Sequence, residues 1–244
     1  MDSSELANLD RPETTLFLLS SVDGKISTGA SKINDFDSDL PSIGATKKGL
    51  CQYYSIERQT SPFSLMTGKT FDKLGINKYR KPNAPNKRCV YYIIIDNTHL
   101  NKQGIKNICN MAANCILITT NINHPANEIK DINSCINLHT IYQQKLDLRK
   151  AFKELREIYA CASITIQSGG TFNGYLLREH LIDNIDLVMA PILVGGKETP
   201  TVIDGTSLTD INHLSEIGEL ELTSMEALKK NYIHLKYRVL NSEP

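Results

Sequence analysis

Apolar and polar positions along the chain alternate between two kinds of run. Short, continuously apolar stretches read as buried strands: "TTLFLLSS" (14–21), "FSLMT" (63–67), "CVYYIIID" (89–96), "CILITT" (115–120), "SITIQ" (163–167) and "IDLVMAPILVGG" (185–196). "INLHTIY" (136–142) alternates more and reads as a strand with one wetter face. Helical spacing appears between them. "DLRKAFKELREIYA" (147–160) places Leu148, Phe152, Leu155, Ile158 and Tyr159 on one stripe. "ATKKGLCQYYSIERQ" (45–59) carries Leu50, Tyr53, Tyr54 and Ile56 on or near one face, and Leu176, Leu177, Leu181 and Ile182 recur at the same spacing after a glycine pair. Residues 1–13 read as a flexible lead, while 29–44 and "KPNAPNK" (81–87) read as surface loops. "ELELTSMEAL" and "NYIHLKYRVL", joined by "KKN", read as a closing antiparallel hairpin. Strands alternating with helices predict one α/β domain over 14–244, with a mostly parallel sheet and antiparallel strands at its end.

Composition narrows the class. The 244 residues hold 27 Lys plus Arg against 27 Asp plus Glu, so zero net charge gives no reason to expect a nucleic-acid or anionic-membrane partner. No apolar run approaches the roughly 20 residues of a membrane helix. The polar, acidic start "MDSSELANLDRPE" is unlike a secretory signal, which makes the cytoplasm the expected setting. Six scattered cysteines (Cys51, Cys89, Cys109, Cys115, Cys135 and Cys161) form no CxxC pair, so no metal site is expected and the thiols read as small apolar fillers.

In a parallel sheet, ligands bind beyond the carboxyl ends of the strands, so the chemistry is sought in the turns. "IQSGGTFNGYLL" (166–177) sets two glycines where a strand hands over to a helix. Glycine lets a ligand approach the main chain, and the helix N-terminus offers free N–H groups to an anion. A tight turn without a ligand remains the alternative. "MTGKTFD" (66–72) has Phe63 where a nucleoside-triphosphate loop needs glycine, so that motif is rejected. Gly68, Lys69 and Thr70 survive as a close-approach, cation and capping group suited to a phosphate, with a surface lysine beside an ordinary cap as the alternative. "SVDGKIS" (21–27) places Asp23 and Lys25 around Gly24, either as a polar contact for a heterocycle or as a plain Asp-Gly turn. "APILVGGK" (190–197) supplies a second pair, Gly195 and Gly196, after Pro191, which suggests an edge, a bulge or an unusual peptide bond. Asp186 fits core packing at a strand start. The fingerprint G-x-G-x-x-G is absent at 169–174, so an ordinary Rossmann site is not supported.

Together, "SSVDGKIS", "MTGKTFDKLG", "YYIIIDNTHL" and above all "ITIQSGGTFNGYLLREHLIDNIDLVMAPILVGG" resemble the dihydrofolate-reductase-like reductase family of riboflavin biosynthesis, over roughly 12–241. The resemblance implies a dihydrofolate-reductase-like three-layer fold, a homodimer, NADPH, and hydride reduction of a ribosylamino group on a pyrimidine 5′-phosphate to ribitylamino. It implies that Gly68, Lys69 and Thr70 hold the adenosine end and its 2′-phosphate, with Asp96, Thr119 and Thr120 lining that side. It implies that Ser168, Gly169, Gly170, Thr171 and Phe172 cradle the pyrophosphate, and that Asp23, Gly24, Lys25, Gly195 and Gly196 border the nicotinamide and the substrate. No residue need act as nucleophile. On this basis Gly170→Asp is expected to weaken NADPH binding. The zinc deaminase half of bifunctional members is absent. Three family positions differ: a first-strand Lys falls at Phe17 or a neighbour, an Asp-x-Pro falls at "KLGIN", and a Glu before the glycine pair falls at Ser168. Those positions contact the substrate in the family. The alternatives are a reductase of a pterin or other small heterocycle on the same fold, for which Glu57 is the one acidic residue on helix 45–59, and a non-catalytic nucleotide-binding homologue.

Overall fold

The structure is a computed structural model that describes residues 10–78, 90–130 and 137–240. The loop at 81–87, the thiols Cys89 and Cys135 and residues 1–9 of the lead lie outside the described residues. The chain divides into two compact units, one of residues 1–13 and 61–166, the other of 14–60 and 167–244.

In the first unit, five strands lie in the order β5-β4-β3-β2-β6, each pair parallel: β2 Phe63–Thr67, β3 Tyr91–Ile95, β4 Asn114–Thr119, β5 Leu138–Tyr142 and β6 Ser163–Ile166. Alternation along the pleat sends successive side chains to opposite faces. Tyr92 and Ile94 of β3, with Cys115 and Leu117 of β4, join one apolar cluster with Ile105, Ile108 and Cys109. Ile93, Ile116 and Ile118 point the other way and are equally buried. That is why these strands read as unbroken apolar runs rather than alternating ones. The helix carrying Ile105 was not expected from the sequence. Numbering all helices of the chain in order, it is α5, Lys102–Met111, capped by Asn101, whose side chain accepts from Gly104 N at 2.8 Å. Its apolar stripe is thin and interrupted by Asn107 and Asn110, so composition hid it. Also in this unit are α4 Gly68–Lys73, α6 Ala126–Lys130 and α7 Leu148–Tyr159. α7 matches its sequence stripe in part: Asp147 caps it and Leu148, Phe152 and Leu155 are buried, while Ile158 is 65% exposed, and Ala160 ends the helix at φ 50. Each such burial contributes roughly 1.5–3 kcal/mol.

In the second unit, β1 Glu13–Ser21 pairs parallel with β7 Asn184–Ala190, and β9 Ile233–Leu240 and β8 Glu219–Ala227 continue the sheet antiparallel in the order β1-β7-β9-β8. β7 stops at Ala190, where Pro191 removes the next donor. Phe17, Leu19, Val188 and Ala190 build a core with Phe36, Leu40, Leu50, Tyr53 and Tyr232. Phe36 and Leu40 lie in the Ser- and Asp-rich stretch read as a surface loop. It is instead folded into α1 Phe36–Asp39 and a 3-10 turn at Leu40–Ser42, because Asp35 caps the helix and two apolar side chains anchor it in the core. The helix expected over 45–59 is two pieces, α2 Gly44–Lys47 and α3 Leu50–Glu57. Between them Gly49 backs directly onto the Tyr232 ring, which comes within 2.3 Å of where a Cβ would stand. The last helix of this unit, α8, spans Gly170–Arg178.

Candidate functional site

Three of the segments singled out in the sequence meet in the second unit. β1 ends at Ser21, and the chain turns through Asp23–Gly24–Lys25, with Gly24 N donating to Ser21 O at 3.0 Å. The Asp23 carboxylate accepts from Ser21 Oγ at 2.6 Å, Val194 N at 3.1 Å and Gly195 N at 2.6 Å. These donors hold its carboxyl down at about 2, Ser21 contributing most. Lys25 Nζ donates to Gly196 O at 2.8 Å and Thr199 O at 3.0 Å. Gly195 and Gly196 sit at φ 72 and 81, consecutive left-handed angles that side chains other than glycine rarely adopt. The two motifs therefore clasp each other, Asp23 and Lys25 binding the main chain of the second glycine pair. A residue run the sequence left unremarked ties in the third motif. Ile26 N donates to Pro200 O, Val202 N to Gly24 O and Asp204 N to Gly170 O, at 3.0, 3.0 and 2.9 Å. Asn173 Nδ2 donates to Val202 O at 2.8 Å.

The glycine pair itself opens α8. Gly169 is its N-cap, in extended backbone at φ −77, ψ 154, with no side-chain cap. Phe172 N and Asn173 N both turn back to Gly169 O. Among the described residues, the N–H groups of Gly170 and Thr171 have no partner. A Cβ on Gly169 meets nothing within 4 Å. A Cβ on Gly170 meets Asp204 Oδ2 and Thr201 O, each at 2.3 Å. The two glycines thus have different physical causes: Gly170 is required by the protein's own packing, while Gly169 leaves space that the protein does not fill. Ser168 is buried and its hydroxyl is committed to Asn173 Oδ1. Thr171 is exposed, and Phe172 is half-buried with its ring 6.1 Å from that of Tyr175. Just before the loop, Gln167 Nε2 donates to Glu57 Oε1 at 2.7 Å.

The remaining candidates lie in the first unit. The cap of α4 is Thr67, whose side chain accepts from Thr70 N at 3.2 Å; Thr70 itself is a capped residue rather than the cap, because it stands two places inside the helix. Lys69 is exposed and, among the described residues, forms no ion pair. Gly68 backs onto Asp96, whose carboxyl lies 2.3 Å from the missing Cβ, so the close approach there is between two parts of the protein. Asp96, at the end of β3, is fully occupied. It accepts from His99 N at 3.0 Å, Leu100 N at 2.9 Å and His124 Nε2 at 3.0 Å, with His99 Nδ1 at 3.1 Å. Burial alone raises a carboxyl; the His124, Leu100 and His99 bonds outweigh it and bring Asp96 to about 2. Thr119 Oγ1 donates to Asn97 Oδ1 at 3.0 Å, and Thr120 N donates to the same oxygen at 2.8 Å.

A pyrophosphate fits the second-unit group: open space at Gly169, two unpartnered N–H groups at the start of a nine-residue helix, and close packing behind Gly170. In the first unit Lys69 is available to an anion, while Asp96 and Thr119 shape the backbone with their side chains engaged.

The family model for the RibD C-terminal domain matches residues 12–234. The chain belongs to the RibD C-terminal domain family. A 2,5-diamino-6-ribosylamino-4(3H)-pyrimidinone 5′-phosphate reductase of Archaeoglobus fulgidus is 26% identical over 98 residues, 39% of this chain and 44% of the relative. The chain therefore spans under half of the length of that relative in the matched region. Among solved structures, Acinetobacter baumannii RibD superposes with a TM-score of 0.65 at 17% identity, covering 96% of this chain and 60% of that one. A pyrimidine reductase-like protein of Corynebacterium diphtheriae gives 0.61 at 15%, covering 95% and 93%. The fold is that of the RibD reductases, mixed α/β with mostly parallel pairing. All three positions that differ from the family lie among the described residues; at "KLGIN", Ile76 is buried and Asn77 Nδ2 donates to Asp72 Oδ1 and His99 O, each at 2.7 Å. Phe17 is 0% exposed and stacks on Tyr53 with centroids 5.0 Å apart, so no cation stands there. Ser168 is engaged with Asn173.

Proposed function

We propose that the chain is an NADPH-dependent reductase that converts the ribosylamino group of a pyrimidine 5′-phosphate to ribitylamino. The observation that carries this reading is the meeting of Asp23–Lys25, Ser168–Asn173 and Gly195–Gly196 through residues 199–204, in a chain of the RibD C-terminal domain family. Bound NADPH supplies a hydride, and the protein's task is alignment. Ser168, Gly169, Gly170, Thr171 and Phe172 take the pyrophosphate, with the charge borne by main-chain N–H groups. Gly68, Lys69 and Thr70 take the adenosine end, on backbone shaped by Asp96, Thr119 and Thr120. Asp23, Gly24 and Lys25 hold Gly195 and Gly196 in place at the nicotinamide and substrate end, their own charges spent on that clasp. Incubating the protein with NADPH and the ribosylamino pyrimidine phosphate tests this: product heavier by two hydrogens, formed in step with NADPH loss, is expected. No product, with cofactor still binding, rejects the substrate.

Phe17 and Ser168 favour a second reading, in which the same chemistry acts on another small heterocycle. The resemblance puts a lysine at Phe17 or a neighbour, and Phe17 is instead a buried aromatic stacked on Tyr53. Parallel turnover of a pterin separates the two; a homologue that binds nucleotide without catalysis turns over neither.

The proposed partner is a second copy of the chain. On one face of the second-unit sheet, Leu220, Leu222, Met225 and Ala227 of β8 stand opposite Val239, Tyr237, Leu235 and Ile233 of β9. Ile185, Leu187 and Met189 of β7 continue the row. A register shift between Leu222 and Ser224 makes this possible: the extra residue keeps Met225 on the same face as Leu222. Leu222 is 51% and Met225 69% exposed. An antiparallel sheet ordinarily turns polar residues to water; here Glu221, Arg238, Ser224 and Lys236 lie on the opposite face. Three strands at about 4.8 Å spacing and about 3.3 Å per residue give a flat footprint of roughly 400 Å², about half of the about 800 Å² per partner that a standard interface buries. The buried free thiols Cys109, Cys115 and Cys161 suit a reducing, cytoplasmic setting.

A further inference from the structure

The glycine loop is anchored from one side by Ser168 and Asn173. Its other anchor comes from α3. Gln167 is the first residue beyond β6, and its amide donates to Glu57 at 2.7 Å. Tyr53 and Glu57 are one helical turn apart, so their side chains project from the same face. Tyr53 is 8% exposed, and its ring lies 5.0 Å from Phe17 at an interplanar angle of 7°. Burial first, then the negative charges of Glu57 and Asp37, push its phenol above the ordinary value. The amide is thus tied to a carboxylate one helical turn from the buried Tyr53. A carboxylate accepts only, which fixes the amide nitrogen towards Glu57 and hence the side-chain rotamer. The bond is charge-assisted and of the stronger kind. The loop it holds has no side chain at Gly169 or Gly170 to steady it.

We propose that Glu57 is a positioning residue. Through Gln167 it locks residues 167–171 in the arrangement that leaves Gly169 uncovered and the Gly170 and Thr171 N–H groups free to take an anion. The functional half of this inference rests on reading that loop as the pyrophosphate site. It makes α3, which carries none of the glycine motifs, part of the cofactor machinery.

The test compares Glu57→Ala and Glu57→Gln in the full chain, with two readouts. The first is hydrogen exchange of residues 167–172 in ligand-free protein. The second is affinity for NADPH. A charge-assisted hydrogen bond corresponds to about tenfold or more. Glu57→Ala should therefore speed exchange of 167–172 about tenfold, leave β3 and β4 unchanged and weaken NADPH by a similar factor. Glu57→Gln, which still accepts from the amide, should restore most of both. Unchanged exchange at 167–172 in Glu57→Ala overturns the proposal, and so does a loosened loop with unchanged NADPH affinity. Failure of the unaltered protein to bind NADPH overturns the dinucleotide reading instead, and the exchange rates still decide whether the lock exists.

Discussion

At the scale of single residues, the two glycines of the pair respond oppositely to a side chain. Gly170 faces Thr201 O and Asp204 at 2.3 Å, so Gly170→Ala should destabilise the fold by about 1–3 kcal/mol. The weakened cofactor binding expected of Gly170→Asp therefore cannot separate lost packing from a lost ligand. Gly169 can. Its φ of −77 suits any residue, and its Cβ direction is empty. Gly169→Asp should melt within about 0.5 kcal/mol of the parent, as open surface positions do, yet lose most NADPH affinity; unchanged affinity would remove the pyrophosphate from this loop. Lys69→Ala should narrow the preference for NADPH over NADH, and an unmoved ratio would release Lys69 from the 2′-phosphate. Asp96 carries a pH signature. Its folded value of about 2 lies below the ordinary carboxyl, so its stabilisation is present above about pH 3.9 and is lost as pH falls towards 2. Asp96→Asn should flatten that acid limb in a urea titration series; a limb of unchanged steepness would show that other carboxylates carry it.

At the scale of elements, the sequence was read correctly where burial leaves a simple pattern. β3 and β4 are apolar on both faces because both faces are covered, and α7 shows a stripe at Leu148, Phe152 and Leu155 because one side only is covered. It was misread where tertiary contact overrides local pattern. α5 has three buried apolar side chains among asparagines, and α1 forms in a Ser- and Asp-rich stretch because Asp35 caps it and Phe36 reaches the core. The helix over 45–59 breaks at Gly49 for the sake of Tyr232, some 180 positions later, which no local window contains. The site shows the same division. Gly24, Gly195, Gly196 and Asp23 were legible because positive φ and turn chemistry require those residue types. Gln167, Glu57, Asn173, Thr201 and Asp204 were not, since their roles depend on which distant main-chain atoms they meet. Thr67 is a case between: a Thr before Gly-Lys-Thr is a plain N-cap signal, and Thr70 was preferred to it. Thr67→Ala should cost about 1 kcal/mol in chemical denaturation, whereas a neutral result would return the cap to another residue.

At the scale of the whole molecule, the open apolar face of β7, β8 and β9 predicts self-association. The protein should run as a dimer in light scattering at micromolar concentration, and Leu222→Asp, 51% exposed and on that face, should yield monomer with an unchanged circular dichroism spectrum. A monomeric parent would leave the face unexplained. Membership of the RibD C-terminal domain family fixes the fold, while Phe17 and Ser168 bear on which substrate the proposed reductase takes. The central claim is prior to both: the open backbone at Gly169 and the start of α8 serve a phosphorylated dinucleotide. Calorimetric titration of the purified protein with NADPH and, separately, with NADH tests it most directly. Tight binding of NADPH with much weaker binding of NADH is the predicted result. Binding of neither would contradict the account, because it would leave the glycine loop without the ligand that its open side is assigned to hold.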